Sequence, residues 1–203
     1  MERESTKAIR RPRADSLRNR EKLLGAASAV FRETGGAGTL EAVAREAGVG
    51  IGTLYRHFPT REALFEAVYR REINQLVDLS RSLEGTGDPV AALRTFLHGI
   101  VGMVVTKKGM INALAIVIDG SSEIACYSYD KLTGSLDRLL APAVSAARIR
   151  PDISTEDILQ TVVGMCLARR EGRWEAAVIR LIDVFVDGLQ LEAAEPSRLS
   201  RAG

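Results

Sequence analysis

The sequence predicts an all-α protein of about nine helices, because two features recur along most of the chain. Apolar residues repeat at intervals of three and four, which is the spacing of one face of an α-helix. Short stretches rich in Gly, Pro, Ser or Thr separate these segments, as expected of turns. No segment reads convincingly as a β-strand, so a bundle of helices is the expected architecture.

The bulk composition is that of an ordinary globular protein, with 46% hydrophobic and 27% charged residues among 203. No apolar run reaches the ~18 residues of a membrane span. The charged N-terminus lacks the apolar segment of a secretory signal. We therefore expect a cytoplasmic protein without a membrane partner. Cys126 and Cys166 lie far apart and outside any metal-ligand spacing, so we expect neither a metal nor a cofactor.

Charge is unevenly distributed along the chain. Residues 1–71 contain 14 Lys and Arg against 9 Asp and Glu, whereas residues 72–203 contain 14 against 17. A basic front and a mildly acidic rear suggest that the front meets a polyanion, although a solvated basic tail produces the same imbalance. The polar, basic residues 1–14 are expected to be a disordered arm. Its arginines either reach into a minor groove or stay solvated.

The first predicted helix begins at Leu17 with Ser16 as its N-cap and ends near Gly35 and Gly36. Thr39 then caps a short helix that ends at Gly48. A second short helix follows and ends before Pro59, and Thr60 caps a longer fourth helix.

The segment from Thr39 to Phe58 has the spacing chemistry of a helix-turn-helix. Two helices that cross steeply need a small residue at the crossing, and Ala44 supplies it. The tight turn needs a residue that accepts positive φ, and Gly48 supplies that. Apolar residues that include Leu54 join the two helices. The second helix is left with polar side chains that can face base edges and phosphates.

These residues resemble the TetR family of repressors. The similarity covers residues 16–80 and is most specific at the string Gly-Thr-Leu-Tyr-Arg-His-Phe of residues 52–58. The final helix, 177–189, is weakly similar to that of an actinobacterial subgroup. The resemblance implies a sequence-specific, DNA-binding transcriptional regulator that a small-molecule effector releases from its operator.

The resemblance also assigns contacts residue by residue. Four residues would bind phosphates: Thr39, Tyr55, His57 and Arg61. Four would face base edges: Ile51, Gly52, Thr53 and Arg56. Arg56 either donates two hydrogen bonds to guanine or grips a phosphate, and the sequence leaves both open. Tyr55 either contacts a phosphate in this way or packs its ring in the core and offers only its hydroxyl. Glu41 stands where some relatives have a basic residue, which removes one expected contact.

Beyond the linker at residues 84–89 the predicted helices become more apolar. A turn is expected at Lys107 to Gly109, followed by a short helix from Met110 to Ile118. Pro142 kinks or splits a later helix, and Ser154 or Thr155 opens the next one in capping-box style.

The rear helices suggest two roles. Helices 155–168 and 174–191 are predicted to form a homodimer interface, largely on resemblance, with completion of the core as the alternative. The preceding helices suit a pocket for a small apolar or amphipathic effector, although each candidate is more often plain core. The lining candidates are Phe96, Ile100, Met103, Leu114, Tyr129 and Met165.

The predicted organisation is a basic arm (1–14), a DNA-binding domain (15–61), a ligand-binding and dimerisation domain (62–192) and a flexible tail (193–203). The helix from Arg61 to Leu83 would connect the two domains. An enzyme is disfavoured, because the sequence has no phosphate loop, nucleophile motif or His/Cys/carboxylate cluster. The main alternative is a helical small-molecule-binding protein of the same fold without selective operator binding.

Overall fold

The computed structural model describes residues 10–34, 37–114, 123–168 and 174–191. That part of the chain forms eight α-helices and a single isolated β-bridge, between Ile149 and Gln190. The all-α prediction is confirmed. The helices are α1 (Arg10–Thr34), α2 (Leu40–Glu46), α3 (Ile51–His57), α4 (Arg61–Leu83), α5 (Pro89–Leu114), α6 (Glu123–Ser145), α7 (Thr155–Leu167) and α8 (Trp174–Leu189).

Helix α1 begins at Arg10, so the prediction of a disordered arm over residues 1–14 is wrong from residue 10 onward. Pro12 is its third residue, and the missing N–H of a proline costs no intrahelical hydrogen bond in the first turn. Ser16 therefore lies inside the helix and does not cap it. Residues 1–9, the expected stop at Gly35 and Gly36, and the predicted tail at 193–203 lie outside the described residues.

Helix α5 runs without interruption from Pro89 to Leu114, so the predicted turn at residues 107–109 is wrong. A glycine in a helix costs only about 1 kcal/mol relative to alanine. The first four turns of α5 bury Leu97 and Ile100 completely, and such burial outweighs that cost. The separate helix expected from residue 110 is thus partly the end of α5, and residues 115–118 lie outside the described residues.

Three predicted N-caps are confirmed by their hydrogen bonds. The Oγ1 atoms of Thr39 and Thr60 accept from the backbone N–H groups of Ala42 (3.2 Å) and Ala63 (3.1 Å). Ser154 forms a capping box with Asp157, in which each side chain accepts from the backbone of the other. Caps of this kind contribute about 1 kcal/mol each and fix where α2, α4 and α7 begin.

Helix α5 lies at the centre of the bundle and packs against α1, α4, α6, α7 and α8. It approaches α4 closely at Gly99, where an added Cβ would lie 2.8 Å from a methyl carbon of Leu76. The core continues into the N-terminal unit through Phe31 and Leu64, both fully buried. Helix α4 therefore connects the front helices to the rear bundle through a continuous apolar interior.

Candidate nucleic-acid interface

Helices α2 and α3 form a compact pair packed on α1. Val43 and Ala44 of α2 and Leu54 of α3 are buried at their junction. Gly48 has φ of +66°, the left-handed conformation that the sequence predicted for the turn. The N–H of Val49 then donates to the carbonyl of Ala44 (3.0 Å), which closes the turn. The geometry is that of a helix-turn-helix.

The outer face of α3 carries the side chains that were predicted to meet DNA. Ile51 and Tyr55 are 38% and 45% exposed. Arg56 is exposed beside them, and Thr53 and His57 are half-buried. The exposure of Tyr55 argues against the alternative in which its ring lies in the core. One face of a short helix therefore presents an aromatic ring, a branched apolar group and a guanidinium to solvent.

The guanidinium of Arg56 is folded back along α3. Its Nε–H donates to the carbonyl of Gly52 (3.1 Å), and one Nη2–H donates to Oγ1 of Thr53 (3.2 Å). The charge thus lies above the first turn of the helix, although Arg56 itself is in the second turn. The sequence indicated the spacing of these residues but not this conformation, since several rotamers of an exposed arginine are accessible.

Arg61, for which a phosphate contact was predicted, lies beside two aromatic rings. Its guanidinium lies 5.0 Å from the ring centroid of Phe65 and 5.7 Å from that of Phe31, in cation–π geometry. Arg20 of α1 lies similarly over Phe58, at 5.4 Å. The apolar stem of Arg61 can pack on these rings while its charge stays at the surface, so packing and phosphate contact are compatible. Phe65 lies four residues after Arg61 on α4, whereas Phe31 comes from α1 and was not predictable from local spacing.

Polar contacts join α4 to the front of the molecule. Arg71 donates to Glu21 of α1 (3.4 Å), and the hydroxyl of Ser28 donates to Glu72, whose side chain is only 11% exposed. Arg32 of α1 lies 4.0 Å from the same carboxylate. These contacts align α4 with α1, on which the helix-turn-helix packs.

A second set of contacts joins α4 to α6 and is called the α4–α6 contact below. The hydroxyl of Tyr127 donates to Oδ1 of Asn74 (2.7 Å), and Arg70 donates to Glu123 (3.0 Å). The Arg70 guanidinium also lies 4.9 Å from the centroid of the Tyr127 ring. Hydrogen bonds to the carboxylates of Glu66 and Glu123 raise the pKa of Arg70. The partners lie about fifty residues apart, so no local sequence signal could have paired them.

Two family models match the chain. The model of bacterial regulatory proteins of the tetR family matches residues 23–68, and that of the SbtR-like transcriptional regulator C-terminal domain matches residues 88–191. A TetR transcriptional regulator from Streptomyces coelicolor, SCO0520, is 39% identical, with a TM-score of 0.75 over 86% of this chain and 99% of that one. The chain belongs to the TetR family.

Other relatives agree with this assignment. The TetR transcription regulatory protein from Mycobacterium vanbaalenii is 31% identical, with a TM-score of 0.68 over 88% of this chain and 99% of that one. The transcriptional regulator AcrR of Shigella flexneri is 22% identical over 162 residues, which are 72% of this chain and 74% of that protein. This TetR-family chain is a DNA-binding transcriptional regulator, as the sequence predicted.

Family and fold point to a regulator, not an enzyme. Within the described ranges, no group of three or more His, Cys, Asp or Glu side chains is placed to hold a metal ion. No helix in the described part of the chain is long and apolar enough to cross a membrane.

The candidate effector-lining residues differ in their burial. Phe96, Ile100 and Met103 are buried in the core of the bundle, and Met165 is half-buried against it. The side chain of Leu114 lies outside the description. Tyr129 is 44% exposed, and the lining roles of all six residues stay predictions.

The exposure of Tyr129 does not follow from the helical register of α6. Leu136 and Leu140 lie seven and eleven residues further along this helix, within about 20° of Tyr129 around its axis. Both of these leucines are buried. A cavity of about 440 Å³ does lie beside α6, where its second half faces the turn between α4 and α5, but none of the six candidates lines it.

Proposed function

We propose that this TetR-family chain binds operator DNA as a homodimer and represses transcription until a small apolar or amphipathic effector releases it. The observation that carries the proposal is a pair of exposed surfaces on one continuous apolar core. The outer face of α3 is suited to DNA, and an apolar stripe on α8 is suited to a second copy of the chain. Because α4 packs on α1 and also on α5 and α6 of the bundle, it can transmit a change in one to the other.

The proposed DNA contacts follow the family resemblance, and the exposure of α3 supports them. Ile51, Gly52, Thr53 and Arg56 lie on or beside the outer face of α3 and would approach base edges. Phosphate contacts would come from the flanks of this face. They are assigned to Thr39, Tyr55, His57 and Arg61.

The proposed dimer surface is a stripe on α8 that we call the α8 seam. It consists of four residues of α8 and one residue just past its end, spaced alternately four and three apart, the pattern of a helix seam that packs against another helix: Ala177, Leu181, Val184, Gly188 and Leu191. Val184 is 69% exposed and Leu181 is 41% exposed. On α7, which packs against α8, Leu167 is also exposed, at 58%.

The alternative, that α8 only completes the core, leaves the α8 seam unexplained. The opposite side of α8 already supplies core residues, because Val178, Ile182 and Val186 are fully buried. An ordinary surface helix needs only one apolar face. A second apolar face that stays open to water is typical of a surface that another protein covers.

The proposed release mechanism is thermodynamic linkage through α4. The effector would bind more tightly to a conformation of the dimer in which the two helix-turn-helix units are too far apart or too close together for the operator. Operator affinity would then fall by the difference between the effector's binding free energies for the two conformations, typically ~1–3 kcal/mol. The α4–α6 contact supports this route, since a displacement of α6 would act on Tyr127 and hence on Asn74 of α4. We place the effector beside α5, near Phe96, Ile100 and Met103. These side chains would have to separate to admit it.

The test is selection of binding sequences from random double-stranded DNA by the full-length chain, followed by affinity measurements at several salt concentrations. The proposal predicts an inverted repeat and an affinity that falls steeply with salt. A chain that enriches no sequence even at low salt would instead be a helical binding protein that lacks operator selectivity. That outcome would contradict the proposal.

A further inference from the structure

We infer that Arg56 recognises a guanine in each operator half-site and that Thr53 is a positioning residue that holds Arg56 in the recognising conformation. The inference rests on the proposed function, in which α3 enters the major groove. It changes the role of Thr53 from a direct base contact to a support. It also requires that the operator contain a G·C pair at one position of each half-site.

A guanidinium can form paired hydrogen bonds along two of its edges. This planar group has five N–H donors. In Arg56 the edge formed by Nε and one Nη2 hydrogen is occupied within α3, by the carbonyl of Gly52 and by Oγ1 of Thr53. The terminal edge, formed by Nη1 and the second Nη2 hydrogen, presents two parallel donors. Two parallel donors match O6 and N7 of guanine, the two acceptors on its major-groove edge.

The position of the guanidinium favours a base over a phosphate. An extended Arg56 would project from the last turn of α3, because it is the sixth of seven residues. The two internal hydrogen bonds instead bring its charge above Gly52 and Thr53, in the first turn. Base edges are contacted mainly by the first residues of a recognition helix. Gly52 has no side chain to lie between the guanidinium and the DNA.

Thr53 is suited to the positioning role. Its Oγ1 accepts the Nη2 hydrogen of Arg56 at 3.2 Å, and its β-branched side chain has restricted χ1 freedom in a helix. It is half-buried beside the exposed Arg56. An arginine that is held before binding loses less conformational freedom on contact, so a pre-formed orientation favours the correct base.

The experiment compares the full-length wild-type chain with Arg56→Ala, Arg56→Lys, Thr53→Val and Thr53→Ser. Each protein is tested against the selected operator and against operators with every base pair of the half-site substituted singly. We expect the wild type to prefer G·C at one position by about 5- to 150-fold. Arg56→Ala and Arg56→Lys should lose that preference and keep the preferences at other positions.

The threonine variants separate positioning from direct contact. Thr53→Val keeps the shape of the side chain but removes the acceptor, and should weaken the same guanine preference without creating a loss elsewhere. Thr53→Ser keeps the acceptor and should retain the preference. A new loss at a neighbouring base pair in Thr53→Val would show that Thr53 contacts a base itself, and would overturn its positioning role.

Other outcomes overturn the guanine assignment. If Arg56→Ala weakens all operators by one common factor, Arg56 contacts a phosphate. If it changes no affinity, Arg56 makes no contact. Both results leave the proposed function standing, provided that the wild type still selects an inverted repeat. A wild type that selects no sequence would instead overturn the proposed function and this inference together. Helical circular dichroism and an unchanged midpoint of thermal unfolding confirm that a variant is folded.

Discussion

Helices α3 and α8 both expose large apolar side chains, but the two surfaces differ in what surrounds those side chains. On α3, Ile51 and Tyr55 have Arg56 among their exposed neighbours. On α8, Leu181 and Val184 lie in a stripe whose other members are also small or apolar. The first surface offers charge, hydrogen bonds and a few apolar contacts. The second surface offers mainly apolar area that can be buried against a partner.

This difference indicates different partners. A surface with a guanidinium and an aromatic hydroxyl is stabilised by the phosphates and base edges of DNA, and its affinity depends on salt. A surface of leucine, valine and glycine gains free energy mainly by being covered, at about 25 cal/mol per Å². Operator binding by a dimer needs both surfaces, so damage to either should reduce affinity in a distinguishable way.

The largest effect should come from Val184→Asp, in the middle of the α8 seam. A carboxylate there would be buried without a partner in the dimer, and the chain should become monomeric. Operator affinity should then fall by a factor of about 100 or more, because the two helix-turn-helix units lose their linkage. Analytical ultracentrifugation and operator binding measure the two effects.

Leu17→Asp is the matched control for oligomeric state, since Leu17 is 67% exposed on α1. It should leave the dimer intact. A Val184→Asp chain that sediments as the wild type does would contradict the assignment of the α8 seam.

A smaller effect is expected from Arg61→Ala. Loss of a phosphate contact should weaken binding to all sequences alike, by about tenfold, and should reduce the salt dependence by about one charge. Loss of the cation–π contacts with Phe31 and Phe65 should also lower the free energy of unfolding by about 0.5–1 kcal/mol. Arg61→Lys should restore most of the DNA affinity. A change confined to one base pair would argue against a phosphate role.

Tyr127→Phe should weaken the α4–α6 contact. It removes the hydroxyl that donates to Asn74, a hydrogen bond that contributes about 1 kcal/mol. Operator affinity without effector should fall by about fivefold or less, with no change in dimerisation. Tyr129→Phe, on an exposed tyrosine of the same helix, is the control. Equal behaviour of the two variants would exclude a role for this contact.

The smallest effect concerns Asp183, which holds α8 against α5. Hydrogen bonds from Arg94 and from His98 lower the pKa of Asp183. A lowered pKa means that the carboxylate stabilises the fold above about pH 4 and that this stabilisation is lost as pH falls through the lowered pKa. Because the side chain is 37% exposed, solvent screening should limit the contribution to less than about 1 kcal/mol.

The Asp183 prediction is measured by urea unfolding at several pH values. Asp183→Asn should be less stable than the wild type at pH 7, and the difference should shrink as pH falls below 4. Asp137→Asn, at an exposed position of α6, is the matched control. A difference that is constant with pH would show that the charge of Asp183 is not responsible.

The structure of the helix-turn-helix could be predicted from the sequence because the residues that determine it lie close together in the chain. A capping threonine, a glycine at positive φ and an apolar residue at each junction act within a few residues of one another, as at Thr39, Gly48 and Leu54. The family string at residues 52–58 lies in the same segment. The structure confirmed this unit and then added the folded-back conformation of Arg56, which spacing alone does not determine.

The structure of the rear helices could be predicted less well, because the residues that pack together there lie far apart in the chain. Spacing predicted a break near Gly109, but the helix continues through it, as propensity is weaker than packing. An apolar or aromatic residue in a helix can face the core or the solvent, and Tyr129 faces the solvent. The Tyr127–Asn74 hydrogen bond joins residues 53 positions apart, which no local pattern encodes.

The most direct test of the account is whether two copies of α3, joined through the α8 seam, bind one operator. Fluorescence anisotropy at one salt concentration would compare the selected inverted repeat, a single half-site, and the same repeat with about five added base pairs between its halves. Half a helical turn places the two half-sites on opposite faces of the DNA. The account predicts that the expanded operator binds no better than a single half-site. Equal affinity for all three would contradict it.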